Sequence, residues 1–152
     1  MSNILVIAVH PDDETLGCGG TLLRHREAGD ATFWCLVTAM SEKSGFLPAQ
    51  IAAREQEISK VAAEYDFQEV FQLGLAATRV DTYPMADTVT AISEVIDLVQ
   101  PEIIYLPFHG DVHSDHRTIF QASYSCTKQF RYSSIRKIYL METLSETEFA
   151  PA

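Results

Sequence analysis

The chain is poor in positive charge and has no long apolar run. Only 11 lysines and arginines stand against 21 aspartates and glutamates, which gives 152 residues a formal net charge of −10. Such a surface repels nucleic-acid phosphates and anionic lipid headgroups. No apolar stretch approaches the ~20 residues that a membrane-spanning helix needs. We therefore expect neither a nucleic-acid partner nor a membrane partner.

Cysteines are few, and the N-terminus has no leader-like pattern. The three cysteines, Cys18, Cys35 and Cys126, lie far apart and form no C-x-x-C pair. This usage is typical of reduced thiols in the cytosol. The opening "MSNILVIAV" has no basic residue before its apolar stretch and no cleavage site, so we interpret it as a first strand. Together these features predict a cytoplasmic protein.

Length and composition predict one globular domain over residues 1–152. Hydrophobic residues make up 47% of the chain and charged residues 21%, which is typical of a folded domain with a sizeable core. There is no internal repeat, linker or low-complexity segment. Composition leaves open whether the domain forms a homo-oligomer.

Short apolar runs alternate with helical patterns from one end of the chain to the other. The runs predict strands over residues 3–9, 32–39, 69–75, 102–108 and 137–143. Helical patterns occupy residues 16–29, 48–65 and 86–100, and the stretch after His116. Strands separated in this way form parallel βαβ units. We predict an α/β fold, a three-layer sandwich with a mostly parallel, Rossmann-like sheet.

Two clusters of histidine and aspartate follow predicted strands. The first is "HPDDE" after strand one, and the second is "FHGDVHSDHR", residues 108–117, after strand four. In open parallel sheets, ligands bind beyond the carboxyl ends of the strands, so both clusters should lie on one rim. Loop residues that merely cap helices are the alternative for either cluster alone. The presence of two such clusters, each at the end of a predicted strand, favours a functional site over helix capping.

A catalytic zinc ion would explain why these side chains are crowded together. Such an ion commonly takes three protein ligands, of the two-histidine and one-carboxylate kind, and keeps one open position. His10 and Asp13, three residues apart where a strand turns into a helix, can converge on one point, and His116 would supply the third ligand. The adjacent Asp12 should project elsewhere and serve as general base.

The remaining residues of the second cluster suggest an acid on the other side of the substrate. His113, three residues before His116, would face the open position, where an imidazolium can stabilise an oxyanion or protonate a leaving amine. Asp115 would hold the His113 side chain in its charged state.

These motifs together resemble the LmbE-like, or PIG-L, family of zinc-dependent N-acetylglucosaminyl deacetylases. "HPDDE", the following "GCGGT", the "REQE" of residues 54–57 and the late "HSDH" occur in the family's order over essentially the whole chain. The resemblance implies zinc bound by His10, Asp13 and His116, with Asp12 as base and His113 acting with Asp115. It also implies that Arg54 holds the sugar, although Arg54 could equally pair with Glu55 or Glu57 on its own helix.

Two features depart from the family's pattern. After its second strand the family often has "TDG", whereas this chain has Thr38, Ala39 and Met40. Family members also usually continue beyond "SETEFAPA" with a segment that helps to wall the pocket, so we expect part of the acceptor side to be lacking. Asp81, in the loop after strand three, is a further candidate for contact with a sugar hydroxyl.

The sequence thus favours hydrolysis of the N-acetyl group from an N-acetylglucosamine-type conjugate, a small molecule. One alternative is a metal-binding but inactive domain with a role in assembly or regulation. Another is an iron(II) site of the two-histidine, one-carboxylate type, but such sites normally lie in β-sandwiches. Metal content and release of free amine would separate the three.

Overall fold

Five parallel strands form the middle layer of the protein. A computed structural model describes residues 1–151, and every predicted strand forms within two residues of its expected bounds. The strands are β1 Asn3–Ala8, β2 Ala31–Ala39, β3 Glu69–Ala76, β4 Ile103–Pro107 and β5 Lys137–Met141. The helices are α1 Asp13–Glu27, α2 Pro48–Tyr65, α3 Met85–Val99 and α4 Ser114–Ser125, and short 3₁₀ turns occupy Glu42–Ser44, Val80–Thr82 and Thr147–Phe149.

The strand order places β1 beside β4 at the centre of the sheet. The order is β3-β2-β1-β4-β5, and all four neighbouring pairs are parallel. The chain moves outward from β1 through β2 to β3 and then crosses back to β4, so the direction of winding reverses between β1 and β4. The loops that follow two such strands diverge to opposite faces and leave a crevice. The predicted clusters follow these two strands.

Two apolar cores lie on opposite faces of the sheet. Alternate side chains of β1 point to opposite sides, since strands have a side-chain period of two. Leu5 and Ile7 pack with residues of α3 and α4, whereas Ile4 and Val6 pack with residues of α1 and α2. The predicted three-layer sandwich with a parallel sheet is therefore confirmed.

Helix α1 begins at Asp13, three residues earlier than the pattern from Leu16 predicts, and is kinked at Cys18. The glycines around the kink allow close packing. A Cβ at Gly19 would lie 2.5 Å from Tyr65 Oη on α2, and a Cβ at Gly17 would lie 2.9 Å from Met141 Cβ on β5. The glycine-rich turn therefore brings α1 against its neighbours, behind the loop that carries His10.

In the part of the chain that the structure describes, no helix combines the length and apolarity needed to cross a membrane. The three cysteines are free and buried, in agreement with the predicted reduced thiols.

Candidate metal centre

The loop after β1 folds into a tight turn that brings His10 and Asp13 together. The His10 carbonyl oxygen accepts hydrogen bonds from the Asp12 and Asp13 amides, at 2.9 and 3.2 Å. Asp13 Oδ2 in turn accepts from the His10 amide at 2.7 Å, which holds the carboxylate beside the imidazole. The Asp13 Oδ2 to His10 Nδ1 distance is 3.6 Å. The predicted convergence of these two side chains is therefore present.

His116 reaches the same point from the first turn of α4. Its side chain is fully buried, and its Nε2 lies 3.1 Å from Asp13 Oδ2 and 3.3 Å from His10 Nδ1. Its other ring nitrogen, Nδ1, donates to Asp111 Oδ2 at 2.7 Å. Burial lowers the pKa of His116, but the hydrogen bonds and charges of Asp13 and Asp111 outweigh burial and raise the pKa to about 9.

The three facing atoms, His10 Nδ1, Asp13 Oδ2 and His116 Nε2, fit a single cation. Ligands about 2.1 Å from a tetrahedral zinc ion lie about 3.4 Å from one another, and these atoms are 3.1 to 3.6 Å apart. The hydrogen bond from His116 Nδ1 to Asp111 leaves a lone pair on Nε2, directed at the other two atoms. Lone pairs that face one another in a buried space repel unless a proton or a cation lies between them. The donor set therefore fits a divalent metal.

The carboxylate of Asp115 is hydrogen-bonded to the His10 side chain and not to that of His113. Asp115 Oδ2 accepts from His10 Nε2 at 3.1 Å, which leaves His10 Nδ1 as the ligand atom. The same carboxylate accepts the backbone amides of Thr78 at 2.7 Å and Val80 at 3.4 Å. The buried carboxylate of Asp115 lies within 4.8 Å of a His113 ring nitrogen, and its charge acts to raise the pKa of His113, in the predicted direction. The hydrogen bond between the two residues comes from the Asp115 amide, which donates to His113 Nδ1 at 3.1 Å.

His113 faces the open side of the ligand cluster. Its ring centroid lies 4.6 Å from that of His10 and 5.3 Å from that of His116. Burial, followed by the charge of His10, lowers the pKa of His113, and the opposing effects of Asp115 and Glu146 are smaller. Since Nδ1 accepts the Asp115 amide, Nε2 is the ring nitrogen available to a ligand.

Asp12 and its neighbour Asp13 point to different environments. Asp13 is buried, whereas Asp12 is exposed and lines the pocket above the cluster. Partial desolvation of the carboxyl by its surroundings, followed by the charge of Asp13, raises the pKa of Asp12, and the charges of His10, Arg54 and His116 partly offset that rise. A carboxylate so placed can exchange a proton with a molecule in the pocket.

The pocket above the cluster has a volume of about 260 Å³. One wall consists of Ala77 and Thr78 from the loop after β3, and another of residues 143–146 from the C-terminal loop. Ser145 and Glu146, at the start of "SETEF", thus form part of this wall, and the expected lack of further acceptor-side residues stays a prediction. Neither Thr78 nor residues 143–146 have a sequence signal that would have identified them.

Two predicted substrate contacts lie away from this pocket. Arg54 lines a smaller side pocket next to His10, and its Nε contacts Glu57 Oε2 at 3.0 Å, the pairing that competed with a sugar-binding role. Asp81 is exposed in the turn Val80–Thr82 and is not among the residues that line the pocket above the cluster.

Two polar side chains of α1 are withdrawn from solvent outside the metal centre. His25 is half-buried and bonded through both ring nitrogens, to Asp30 Oδ2 at 2.8 Å and to Tyr105 Oη at 2.9 Å. Glu14 is buried with one oxygen bonded to Thr15, and burial raises its pKa to about 7. The contact of His25 with Tyr105 joins α1 to β4, whereas the hydrogen bond of Glu14 to Thr15 lies within α1.

Comparisons with known proteins agree with the fold and with the motifs. The family described as "PIG-L: GlcNAc-PI de-N-acetylase" matches residues 5–127. The "Probable N-acetyl-alpha-D-glucosaminyl L-malate deacetylase 2" of Bacillus subtilis (strain 168) is 29% identical over 146 residues, covering 88% of this chain and 66% of that protein. The "Uncharacterized deacetylase YaiS" of Escherichia coli (strain K12) is 30% identical over 125 residues, covering 79% of this chain and 65% of that protein.

A solved structure has the same architecture. The conserved protein TT1542 from Thermus thermophilus superposes with a TM-score of 0.76 at 23% identity, covering 93% of this chain and 66% of that one. The chain spans about two thirds of the length of the relatives it matches. With the family match extending from β1 past the end of α4, over both motifs that line the crevice, the chain belongs to the PIG-L, or LmbE-like, family.

Proposed function

We propose that the protein is a zinc-dependent N-deacetylase that hydrolyses the N-acetyl group of an N-acetylglucosamine-type conjugate. The observation that carries this proposal is the convergence of His10 Nδ1, Asp13 Oδ2 and His116 Nε2 beside a pocket lined by Asp12 and His113. Family membership and the deacetylase names of two relatives support the same reaction class.

Two nitrogens and one oxygen are the donors that catalytic zinc commonly takes, and the fourth side of this cluster opens to the pocket. A zinc ion held there would supply Lewis acidity toward the amide carbonyl and would lower the pKa of water to ~7. Iron(II) also binds two histidines and one carboxylate, so metal analysis is part of the test.

The residues around the cluster can move the protons that the reaction requires. Asp12 would accept a proton from the attacking water, because its exposed carboxylate faces the pocket. The new bond joins the water oxygen to the acetyl carbon, and the bond from that carbon to the sugar nitrogen breaks. The Nε2–H of His113 would donate a hydrogen bond to the developing oxyanion, the proton held by Asp12 would pass to the leaving nitrogen, and the products are free amine and acetate.

Arg54 and Asp81 are proposed substrate contacts beyond the reacting group. Arg54 lies on α2 beside the side pocket that shares His10 with the metal centre, so a sugar hydroxyl placed there would compete with Glu57 for the guanidinium. Asp81 would need a conjugate that extends past the pocket over the turn after β3.

The test is stoichiometric release of amine and acetate from a panel of N-acetylglucosamine conjugates by protein of measured metal content. We expect about one zinc per chain and equal amounts of the two products. Asp12→Asn should keep the metal and lose turnover, and Glu94→Gln, an exposed carboxylate on α3, serves as the matched control. Bound metal without turnover of any conjugate would refute the enzyme proposal and favour the inactive metal-binding alternative. Bound iron together with consumption of oxygen would favour the iron(II) alternative.

A further inference from the structure

A second and larger groove lies beside the metal-centre pocket. It has a volume of about 1320 Å³ and runs between the loop after β2 and the loop after β3. Small-molecule sites typically measure roughly 300–1,000 Å³, and the pocket above the cluster, at about 260 Å³, is smaller than that range. A conjugate bound at the metal centre would therefore extend into the groove.

The pocket and the groove share a fixed border. Ala77 and Thr78 line both. Thr78 has a φ of +63°, a left-handed conformation that is uncommon for a β-branched residue. It is held there by the 2.7 Å hydrogen bond from its amide to Asp115 Oδ2, and the same oxygen accepts from His10. The start of the groove is thus positioned relative to a metal ligand.

Two cationic side chains line the groove without an internal partner. Among residues 1–151, no carboxylate lies within 4.0 Å of Lys43 or Arg79, whereas Arg54 is paired with Glu57. Glu42 is the one acidic residue in the lining. In a chain with a net charge of −10, a groove in which cations outnumber acids is a local exception. Unpaired guanidinium and ammonium groups favour carboxylate and phosphate ligands.

We propose that Lys43 and Arg79 bind an anionic group, carboxylate or phosphate, on the aglycone of the substrate. This inference rests on the proposed deacetylase function. It makes the two cations specificity-determining residues: the acetylated sugar occupies the pocket at the metal, and the acidic substituent crosses Thr78 into the groove.

The experiment compares three conjugates that differ in charge: methyl N-acetylglucosaminide, carboxymethyl N-acetylglucosaminide and N-acetylglucosamine 1-phosphate. With wild-type protein, KM should be lower for the two acidic compounds. Arg79→Gln should raise KM for both by about 10- to 100-fold with little change in kcat, because a charged hydrogen-bond partner is lost. The neutral glycoside should be unaffected. Lys43→Gln should act in the same direction, and Arg79→Lys should retain part of the preference.

Lys60→Gln, an exposed lysine on α2 outside the groove, is the matched control and should change nothing. Turnover without an acidic preference, or a preference that survives in Arg79→Gln, would overturn this inference and leave the deacetylase proposal standing.

If no conjugate is turned over, the deacetylase proposal fails. Equilibrium binding then tests separately whether the groove binds an anionic group. Calorimetry on metal-loaded protein should then show tighter binding of N-acetylglucosamine 1-phosphate than of the methyl glycoside, with the difference lost in Arg79→Gln. Phosphate affinity that persists in this variant would come from the metal itself and would overturn the assignment.

Discussion

Metal binding at the His10, Asp13 and His116 cluster should release a proton, and the affinity should therefore rise with pH. Without a cation, hydrogen bonds and charges from Asp13 and Asp111 more than offset burial and raise the pKa of His116 to about 9. A ligand nitrogen must be unprotonated to bind metal. Below a pH of about 9, the metal must therefore displace the proton on this imidazole.

The size of the effect follows from that pKa. Each pH unit below it lowers the apparent affinity tenfold, which corresponds to about 1.4 kcal/mol. At a pH of about 7, two units below this pKa, the affinity should be about 100-fold below its high-pH plateau, or about 2.7 kcal/mol. The sign is fixed: affinity rises with pH and reaches a plateau once His116 is neutral.

The assay is a titration with chelator-buffered zinc across this pH range. Calorimetry in two buffers with different heats of ionisation would count the protons, and near neutral pH about one should be released per ion bound. Asp111→Asn removes one of the two carboxylates that raise the pKa of His116, so its plateau should begin at lower pH. An affinity that stays constant from a pH of about 7 to about 9, with no proton released, would refute this reasoning.

Three further predictions concern other parts of the molecule. Asp12→Asn should keep zinc and lose amine release, whereas Asp13→Asn should lose zinc first; metal content per chain measures this, and the reverse result would exchange their roles. His113→Ala should lower kcat on the order of 10²-fold while zinc stays bound, and an unchanged kcat would exclude this side chain as the oxyanion donor. Gly19→Ala should lower the free energy of unfolding by about 1–3 kcal/mol in urea titrations, because its Cβ would lie 2.5 Å from Tyr65 Oη. Adding Tyr65→Phe should restore part of that loss, and a stable single variant would contradict the packing argument.

The architecture and the meeting of the two clusters could be predicted from the sequence, because both rest on regular spacing. Apolar runs that alternate with helical patterns favour parallel βαβ units. The loops at the carboxyl ends of parallel strands then lie on the same edge of the sheet. His10 and His116, 106 residues apart in the chain, lie 3.3 Å apart for that reason.

The supporting contacts could not be predicted in the same way. Whether Asp115 serves His113 or His10 depends on the direction of its side chain in the first turn of α4 and on the loop that covers it. Asp115 accepts a hydrogen bond from the backbone amide of Thr78, 37 residues away in the chain. Since every residue except proline has such an amide, the type of residue 78 does not indicate this contact. The C-terminal wall of the pocket was missed because irregular loops have no periodicity to recognise.

The proposed metal ligands and the large groove lie on different segments of the chain, and this separation matters for redesign of the protein. The proposed metal ligands come from the loop and helix start after β1 and from the first turn of the helix after β4, whereas the large groove is lined mainly by the loops after β2 and β3. Ligand preference could therefore be altered by exchanging one pair of loops while the reactive centre is inherited intact. A grafted loop would have to keep one contact, the hydrogen bond from the Thr78 amide to the Asp115 carboxylate. Without an N–H at that position, the Asp115 carboxylate that orients His10 would lose a hydrogen-bond donor.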